Sequence, residues 1–191
     1  MEGFGNGRLL FAKNFIRYPA MLGSLIPSSR ILVERLLSRV DWKRAHVIVE
    51  YGPGIGTFTE AILERLPADG KLIAIETNRD FVDYLQQELQ DPRLHVECGS
   101  AADVRDILQR RGLDRVDYVI SGIPFSVMPD ELRQAILAST HEVLKPDGAF
   151  LVYQFSNKVL RDLERTFGEV ERGFVFRNVL PAHWYDCKPR G

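Results

Sequence analysis

The apolar run Val47-Ile48-Val49 passes directly into Glu50-Tyr51-Gly52-Pro53-Gly54-Ile55-Gly56, and a helical pattern from Phe58 to Leu66 follows. A strand, a glycine turn and a helix start in that order open the βαβ unit of a doubly wound sheet, where backbone can approach a nucleotide-like ligand. The glycines fall at alternate positions behind an acidic residue, unlike the G-x-G-x-x-G spacing that cradles a pyrophosphate. The ligand they indicate is an adenosine carrying an amino acid. A second run, Lys71-Leu72-Ile73-Ala74-Ile75, ends at Glu76, 20 residues beyond Gly56. That is about the offset at which a second-strand carboxylate meets ribose hydroxyls. An ionised Glu offers only acceptors, which suits a 2′,3′-diol and repels a 2′-phosphate.

From Val47 onward strand-like runs alternate with helical patterns, as in a mainly parallel sheet. Strands are predicted near 46–51, 71–76, 93–98, 115–121, 148–155, 169–177 and 181–188, and helices near 57–66, 78–90, 101–111, 129–144 and 157–166. Pro67-Ala68-Asp69-Gly70, Asp91-Pro92 and Lys145-Pro146-Asp147-Gly148 read as turns between them. No long helix separates the final two strands, so the last should run antiparallel. The fold class is therefore α/β: a Rossmann-like, seven-stranded, mainly parallel sheet with helices on both faces and additional N-terminal helices.

Residues 1–45 are expected to form a helical extension, and 46–191 the catalytic domain. The extension carries helical patterns at about 8–18 and 29–40, the second capped by Ser28 or Ser29, with Ile31, Leu32, Leu36 and Leu37 packing on the sheet. The first sets Leu10, Phe11, Phe15 and Tyr18 among Arg8, Lys13 and Arg17, and residues 1–30 carry a net +3 in a chain of net −1. Such a helix either lies in the headgroup zone of an anionic membrane or covers the ligand pocket as a lid.

A chain of 191 residues with 45% hydrophobic and 27% charged residues reads as one ordinary domain, and its net charge gives no push towards nucleic acid. Cys98 and Cys187 are far apart, which supports neither a disulfide framework nor a metal site and fits a reducing, cytosolic setting. No run approaches the roughly 20 apolar residues of a membrane-spanning helix, and no signal-peptide pattern opens the chain. Peripheral attachment to the inner face of a membrane remains compatible with all of this.

The fourth strand, Val116 to Ile120, leads into Ser121-Gly122-Ile123-Pro124-Phe125-Ser126-Val127-Met128-Pro129, which should face the glycine turn across the ligand crevice. This loop resembles the Asn-Leu-Pro-Tyr or Asn-Pro-Pro-Tyr loop of amino-group methyltransferases. Nearly the whole chain resembles the bacterial phospholipid N-methyltransferases, relatives of the rRNA adenine dimethyltransferases. The resemblance rests on Pro19…Gly23-Ser24…Pro27-Ser28-Ser29-Arg30, Glu50 to Thr59, Ser121-Gly122-Ile123-Pro124, Met128-Pro129 and Phe176-Arg177-Asn178-Val179-Leu180-Pro181-Ala182.

The resemblance implies S-adenosyl-L-methionine as cofactor, S-adenosyl-L-homocysteine as product, and no metal. It implies cofactor contacts from Glu50, Gly52, Gly54, Gly56, Thr57, Glu76, Thr77, Ser100, Ala101 and Ser121. Ser100 stands where relatives place an Asp against the adenine amine, with Asp103 as a substitute if the loop bends. Ser121, Pro124, Phe125 and Tyr18 would serve the reaction: the loop would offer backbone carbonyls, and Phe125 an aromatic face for the developing ammonium. Tyr18, Arg30, Arg177, Asn178 and His183 would hold a lipid phosphate headgroup, Arg177 as the leading candidate. The function implied is N-methylation of a phosphatidylethanolamine-type headgroup at an anionic membrane surface. Ser121 in place of Asn or Asp, and the lack of a basic platform, weigh against nucleic acid as partner. An rRNA adenine or small-molecule methyltransferase and a non-catalytic cofactor-binding protein are the alternatives. A monomer is plausible.

Overall fold

The structure, a computed structural model, describes residues 29–176, 178 and 180–190. The expected helix at 8–18, with Tyr18, and residue Arg177 lie outside the described residues.

The first described helix, α1 (Arg30–Leu37), starts at Ser29, whose Oγ accepts the Leu32 amide at 3.2 Å. Next come β1 (Val47–Tyr51), α2 (Thr57–Leu63), β2 (Lys71–Glu76), α3 (Arg79–Glu88), β3 (Leu94–Cys98) and α4 (Val104–Arg110). They are followed by β4 (Val116–Ser121), α5 (Asp130–Val143), β5 (Leu144–Gln154), α6 (Leu160–Phe167), β6 (Glu169–Val175) and β7 (Ala182–Lys188). The sheet order is β3-β2-β1-β4-β5-β7-β6; β1 to β5 pair in parallel, and β7 runs antiparallel to both β5 and β6.

Burial follows position in the sheet. The central β4, Val-Asp-Tyr-Val-Ile-Ser, is buried along its whole length, whereas the edge strands β3 and β6 carry His95, Glu97, Glu169, Glu171 and Arg172 at half-buried or exposed positions. Strands covered on both faces need continuous apolar runs; edges tolerate charge and are protected by it. One core cluster joins Val49, Tyr51, Val119, Phe125 and Phe150 to residues of α4, α5 and α6. The other joins Ile48, Leu72, Ile120, Leu151 and Tyr153 to Leu32, Val33, Leu36 and Leu37 of α1 and to Phe58 and Ile62 of α2. The α1 segment thus shares its core with the sheet.

Three local readings change. Lys145-Pro146-Asp147-Gly148 is an irregularity inside β5, not a turn before it. Leu144 pairs with Val116 and Ala149 with Tyr118, so the four residues bulge out while the strand continues. Lys145 Nζ, 2.6 Å from Asp117 Oδ1, pins that bulge to β4. The helix expected over 101–111 divides into a 3₁₀ turn, Ala101–Asp103, and α4. The helix expected from 157 begins at Leu160.

Candidate active site

Register brings the carboxyl ends of β1 to β5 to one edge of the sheet: Tyr51 lies opposite Ile75 and Ser121, Glu76 opposite Cys98, and Ser121 opposite Val152. Each loop leaves its strand by donating one more amide to a neighbour. Gly52 N bonds Ile75 O at 2.9 Å, Gly99 N bonds Glu76 O at 3.0 Å, and Gly122 N bonds Tyr51 O at 3.1 Å.

Gly52 and Gly56 take φ of 69° and 88°, in the left-handed region that L side chains avoid, so the turn at this edge requires glycine. Space is short as well. A Cβ on Gly52 would lie 2.7 Å from Ile123 Cγ2 of the fourth-strand loop, and one on Gly56 would lie 2.9 Å from Leu85 Cδ2.

Two carboxyls flank the turn. Glu50, buried at the end of β1, accepts the Thr59 hydroxyl at 2.7 Å, and burial pushes its pKa up to about 8 against the help of Thr59, with repulsion from Glu76 adding to the rise. Glu76 accepts the Gly54 amide at 3.2 Å, the Asn78 amide at 2.9 Å and the Thr77 hydroxyl at 3.4 Å. Burial still raises its pKa above the ordinary carboxyl value, because desolvation outweighs those donors. Two desolvated carboxyls beside an open glycine turn are complementary to a cation, whose arrival would favour the ionised form of both. A sulfonium and an α-ammonium on an adenosine scaffold meet that requirement.

The loop after β4 differs from the sequence expectation. Placing Pro124-Phe125 on the Pro-Tyr of the motif puts Gly122, not Ser121, at the Asn position. A Cβ at Gly122 would lie 2.9 Å from Tyr153 Cζ, so no larger side chain fits there. Of the expected carbonyl acceptors, Ile123 O has both lone pairs engaged and Pro124 O one. Ile123 O receives both the Gln154 side-chain amide at 2.7 Å and the Phe125 amide at 3.0 Å, and Pro124 O receives Val127 N at 3.2 Å in a 3₁₀ turn over Phe125–Val127. Phe125 is fully buried and packs edge-to-face on Phe150 at 6.2 Å, which corrects the expectation of an exposed aromatic face. Ser121 Oγ is buried without a hydrogen-bond partner.

The other predicted residues are distributed along the same edge. Ser100 Oγ accepts the Ala102 amide at 3.2 Å, so it caps the 3₁₀ turn; Ala101 is buried and Asp103 exposed. Thr57 opens α2, and Thr77 is exposed at the end of β2. Arg30 is exposed at the start of α1. Asn178 has both ends of its amide engaged, Oδ1 by Ser29 N at 2.8 Å and Nδ2 by Leu180 O at 2.7 Å. It ties the β6–β7 turn to α1. His183 pairs with Gln154 across β5 and packs edge-to-face on Phe174 at 4.7 Å; burial, with Arg172 nearby, lowers its pKa and keeps it neutral.

Every exposed large apolar side chain among the described residues sits on this rim. Val127 lies in the fourth-strand loop and Leu132 just after it; Phe174 is near the end of β6, Phe176 and Leu180 lie in the β6–β7 turn, and Ile31 is at the start of α1. At the opposite edge a cavity of about 620 Å³ contains Arg105, Arg115 and Arg190, but Glu142 and the carbonyls of Leu144 and Glu164 engage them.

Sequence reasoning missed Thr59, Gln154 and Tyr153. Thr59 follows the last glycine within one helical turn and was within reach of inspection. Gln154 and Tyr153, at the end of an apolar strand, carry no local signal, because their partners lie 31 residues away in the fourth-strand loop.

A family profile described as a methyltransferase domain matches residues 48–148. The ornithine lipid N-methyltransferase of Singulisphaera acidiphila is 33% identical over 187 residues, covering 94% of each chain. The ribosomal RNA small subunit methyltransferase A of Cupriavidus metallidurans is 30% identical over 96 residues, half of this chain and 33% of that protein. Among solved structures, the precorrin-6y C5,15-methyltransferase of Geobacter metallireducens superposes with a TM-score of 0.70 at 17% identity, covering 85% of this chain and 89% of that one, a likeness of fold. Together with the strand order and the glycine turn, these similarities establish that the chain belongs to the class I S-adenosylmethionine-dependent methyltransferases.

Proposed function

We propose that the protein methylates the aliphatic headgroup amine of a membrane lipid, of the phosphatidylethanolamine or ornithine-lipid type. The observation that carries this reading is the fourth-strand loop. It has Gly122 where a planar nucleobase amine would meet a side-chain acceptor, and it buries the aromatic ring that would stack on a base. Near full-length similarity to an ornithine lipid N-methyltransferase supports it. So does the apolar rim, since a lipid substrate stays in its bilayer and the enzyme must approach that surface.

In this reading Glu50 and Glu76, with the amides of the Gly52–Gly56 turn, hold the cofactor: Glu76 takes the ribose hydroxyls, Glu50 the cationic amino-acid end. S-adenosylmethionine, when bound, supplies a sulfonium methyl carbon to which the amine nitrogen forms its new bond as sulfur leaves with the bonding pair. The protein aligns the neutral amine behind that carbon and excludes water. The proton released by nitrogen goes to solvent. His183 stays neutral and adds no positive charge near the amine.

The test is transfer of label from S-adenosylmethionine to vesicles containing phosphatidylethanolamine or ornithine lipid, with adenosine-containing RNA and soluble ethanolamine phosphate alongside. Label in lipid is the expected result. Label confined to RNA or the soluble amine, or cofactor binding without transfer, would sink the lipid reading. Phe176→Ser should reduce vesicle co-sedimentation while leaving cofactor binding intact.

A further inference from the structure

The Tyr153 side chain ends in the space a side chain at position 122 would fill, its Cζ 2.9 Å from the position of a Cβ there and its hydroxyl closer still. The ring is held on two sides. Phe58, two residues beyond the glycine turn, stacks on it at 5.3 Å with 15° between planes, and Phe155 packs edge-on at 6.3 Å. Tyr153 itself is 7% exposed, and it lies at the carboxyl edge of the sheet, between Gly122 of the fourth-strand loop and Phe58 of α2.

A primary amine presented for attack keeps its N–H bonds to either side of the lone pair, and those bonds need acceptors that leave the lone pair directed at the methyl carbon. Ile123 O already receives Gln154 and Phe125, and Pro124 O, which receives Val127, has one lone pair left, so these two carbonyls supply one acceptor at most. A phenol oxygen has two lone pairs besides its proton, and stacking on Phe58 fixes its position at little entropic cost. Its negative dipole also becomes more favourable as nitrogen acquires positive charge in the transition state.

We propose that the Tyr153 hydroxyl is a catalytic residue that accepts an N–H of the aliphatic amine and orients its lone pair, and that Gly122 exists to make room for it. This rests on the reading of the protein as an aminolipid methyltransferase. No proton is transferred to Tyr153: nitrogen forms its bond to carbon, sulfur keeps the electron pair of the bond that breaks, and the nitrogen proton passes to water. The pair also selects substrate. An amine in the plane of a nucleobase would bring its ring against Tyr153, whereas a tetrahedral amine on a flexible chain approaches from above it.

The test uses the full chain, S-adenosylmethionine, and vesicles containing phosphatidylethanolamine or ornithine lipid. Tyr153→Phe keeps the ring and its stack on Phe58, so the calorimetric cofactor affinity should match the wild type. A hydrogen bond to a group acquiring charge predicts a fall in kcat of about tenfold to a hundredfold, with KM for lipid changed by less than about threefold. Gly122→Ala should lower kcat as well, by pushing the ring aside. A Tyr153→Phe enzyme as active as an active wild type overturns this proposal alone. Loss of cofactor affinity in step with kcat also overturns it, because that marks a merely structural ring. A wild type that labels neither aminolipid overturns the reading beneath it.

Discussion

Replacing Glu50 by Gln should stabilise the ligand-free protein and weaken its hold on the cofactor. In the folded chain the Glu50 carboxyl titrates near 8, against an ordinary value of 4.5, because burial disfavours its charge. A folded-state pKa above the unfolded one means that stability present below pH 4.5 is lost as pH rises towards 8. The loss is about 1.4 kcal/mol per pH unit, so at pH 7 the wild type forgoes at most about 3 kcal/mol relative to a permanently neutral side chain. Gln has the shape of the protonated acid and can still accept the Thr59 hydroxyl. Urea denaturation at pH 5, 7 and 8.5 should therefore show a Glu50→Gln advantage that widens with pH and levels off above about 8. Calorimetry should show the reverse for the ligand. Wild-type affinity for S-adenosylmethionine should rise with pH over the same window and release a proton, seen as a buffer-dependent enthalpy; Glu50→Gln should lose at least tenfold in affinity, roughly 1.4 kcal/mol, together with the proton release. A variant no more stable than wild type at pH 8.5, or one that binds the cofactor equally well, would refute the account of Glu50 as a buried acid that a bound cation ionises.

Gln154→Leu removes one of the two donors to Ile123 O, leaving the Phe125 amide, and should destabilise the fold by about 1 kcal/mol while lowering kcat more than cofactor affinity; chemical denaturation and single-turnover rates check this. Gly52→Ala combines an unfavourable φ of 69° with a 2.7 Å approach to Ile123, so it should weaken cofactor binding, and adding Ile123→Ala should restore only the part due to contact, as a double-mutant cycle by calorimetry would reveal. Asp117 receives Lys145 Nζ and the amides of His46 and Val47, which outweigh its burial and hold its pKa below the usual carboxylate value. Its contribution is present above the unfolded pKa and lost as pH falls through the lower folded one, so the stability gap between wild type and Asp117→Asn, about 1–3 kcal/mol at pH 7, should close in acid.

What the sequence made legible is what local chemistry dictates. The apolar runs of β1, β2 and β4 and the glycines at 52, 54 and 56 each state their requirement within a few residues, and the absence of a helix between β6 and β7 announced the antiparallel ending. Contacts made across the chain were invisible. Asn178 looked like a headgroup ligand because nothing near it revealed its bond to Ser29, 149 residues away. Phe125, in a Pro-stiffened loop, is expected to present its ring to the amine, yet Phe150 and the rest of the core absorb it. Lys145-Pro146-Asp147-Gly148 has the composition of a turn, and only the pairing of Leu144 with Val116 shows the strand already under way. Ser121 ends the strand and Gly122 takes the Asn position, because the Pro124-Phe125 pair, and not the strand end, sets the register of the motif.

The close approach of Ile123 to Gly52, with the bond from Gly122 N to Tyr51 O, has a thermodynamic consequence. The backbone that encloses one ligand and the loop that receives the other cannot shift independently, so ordering one must alter the free energy of ordering its neighbour. Such coupling is reciprocal: the factor by which a bound amine changes the affinity for S-adenosylmethionine is the factor by which bound S-adenosylmethionine changes the affinity for the amine. Conversion of the sulfonium to a neutral thioether leaves the α-ammonium and the ribose hydroxyls proposed to meet Glu50 and Glu76, so turnover changes the ligand only where it meets the amine, at the wall the two sites share.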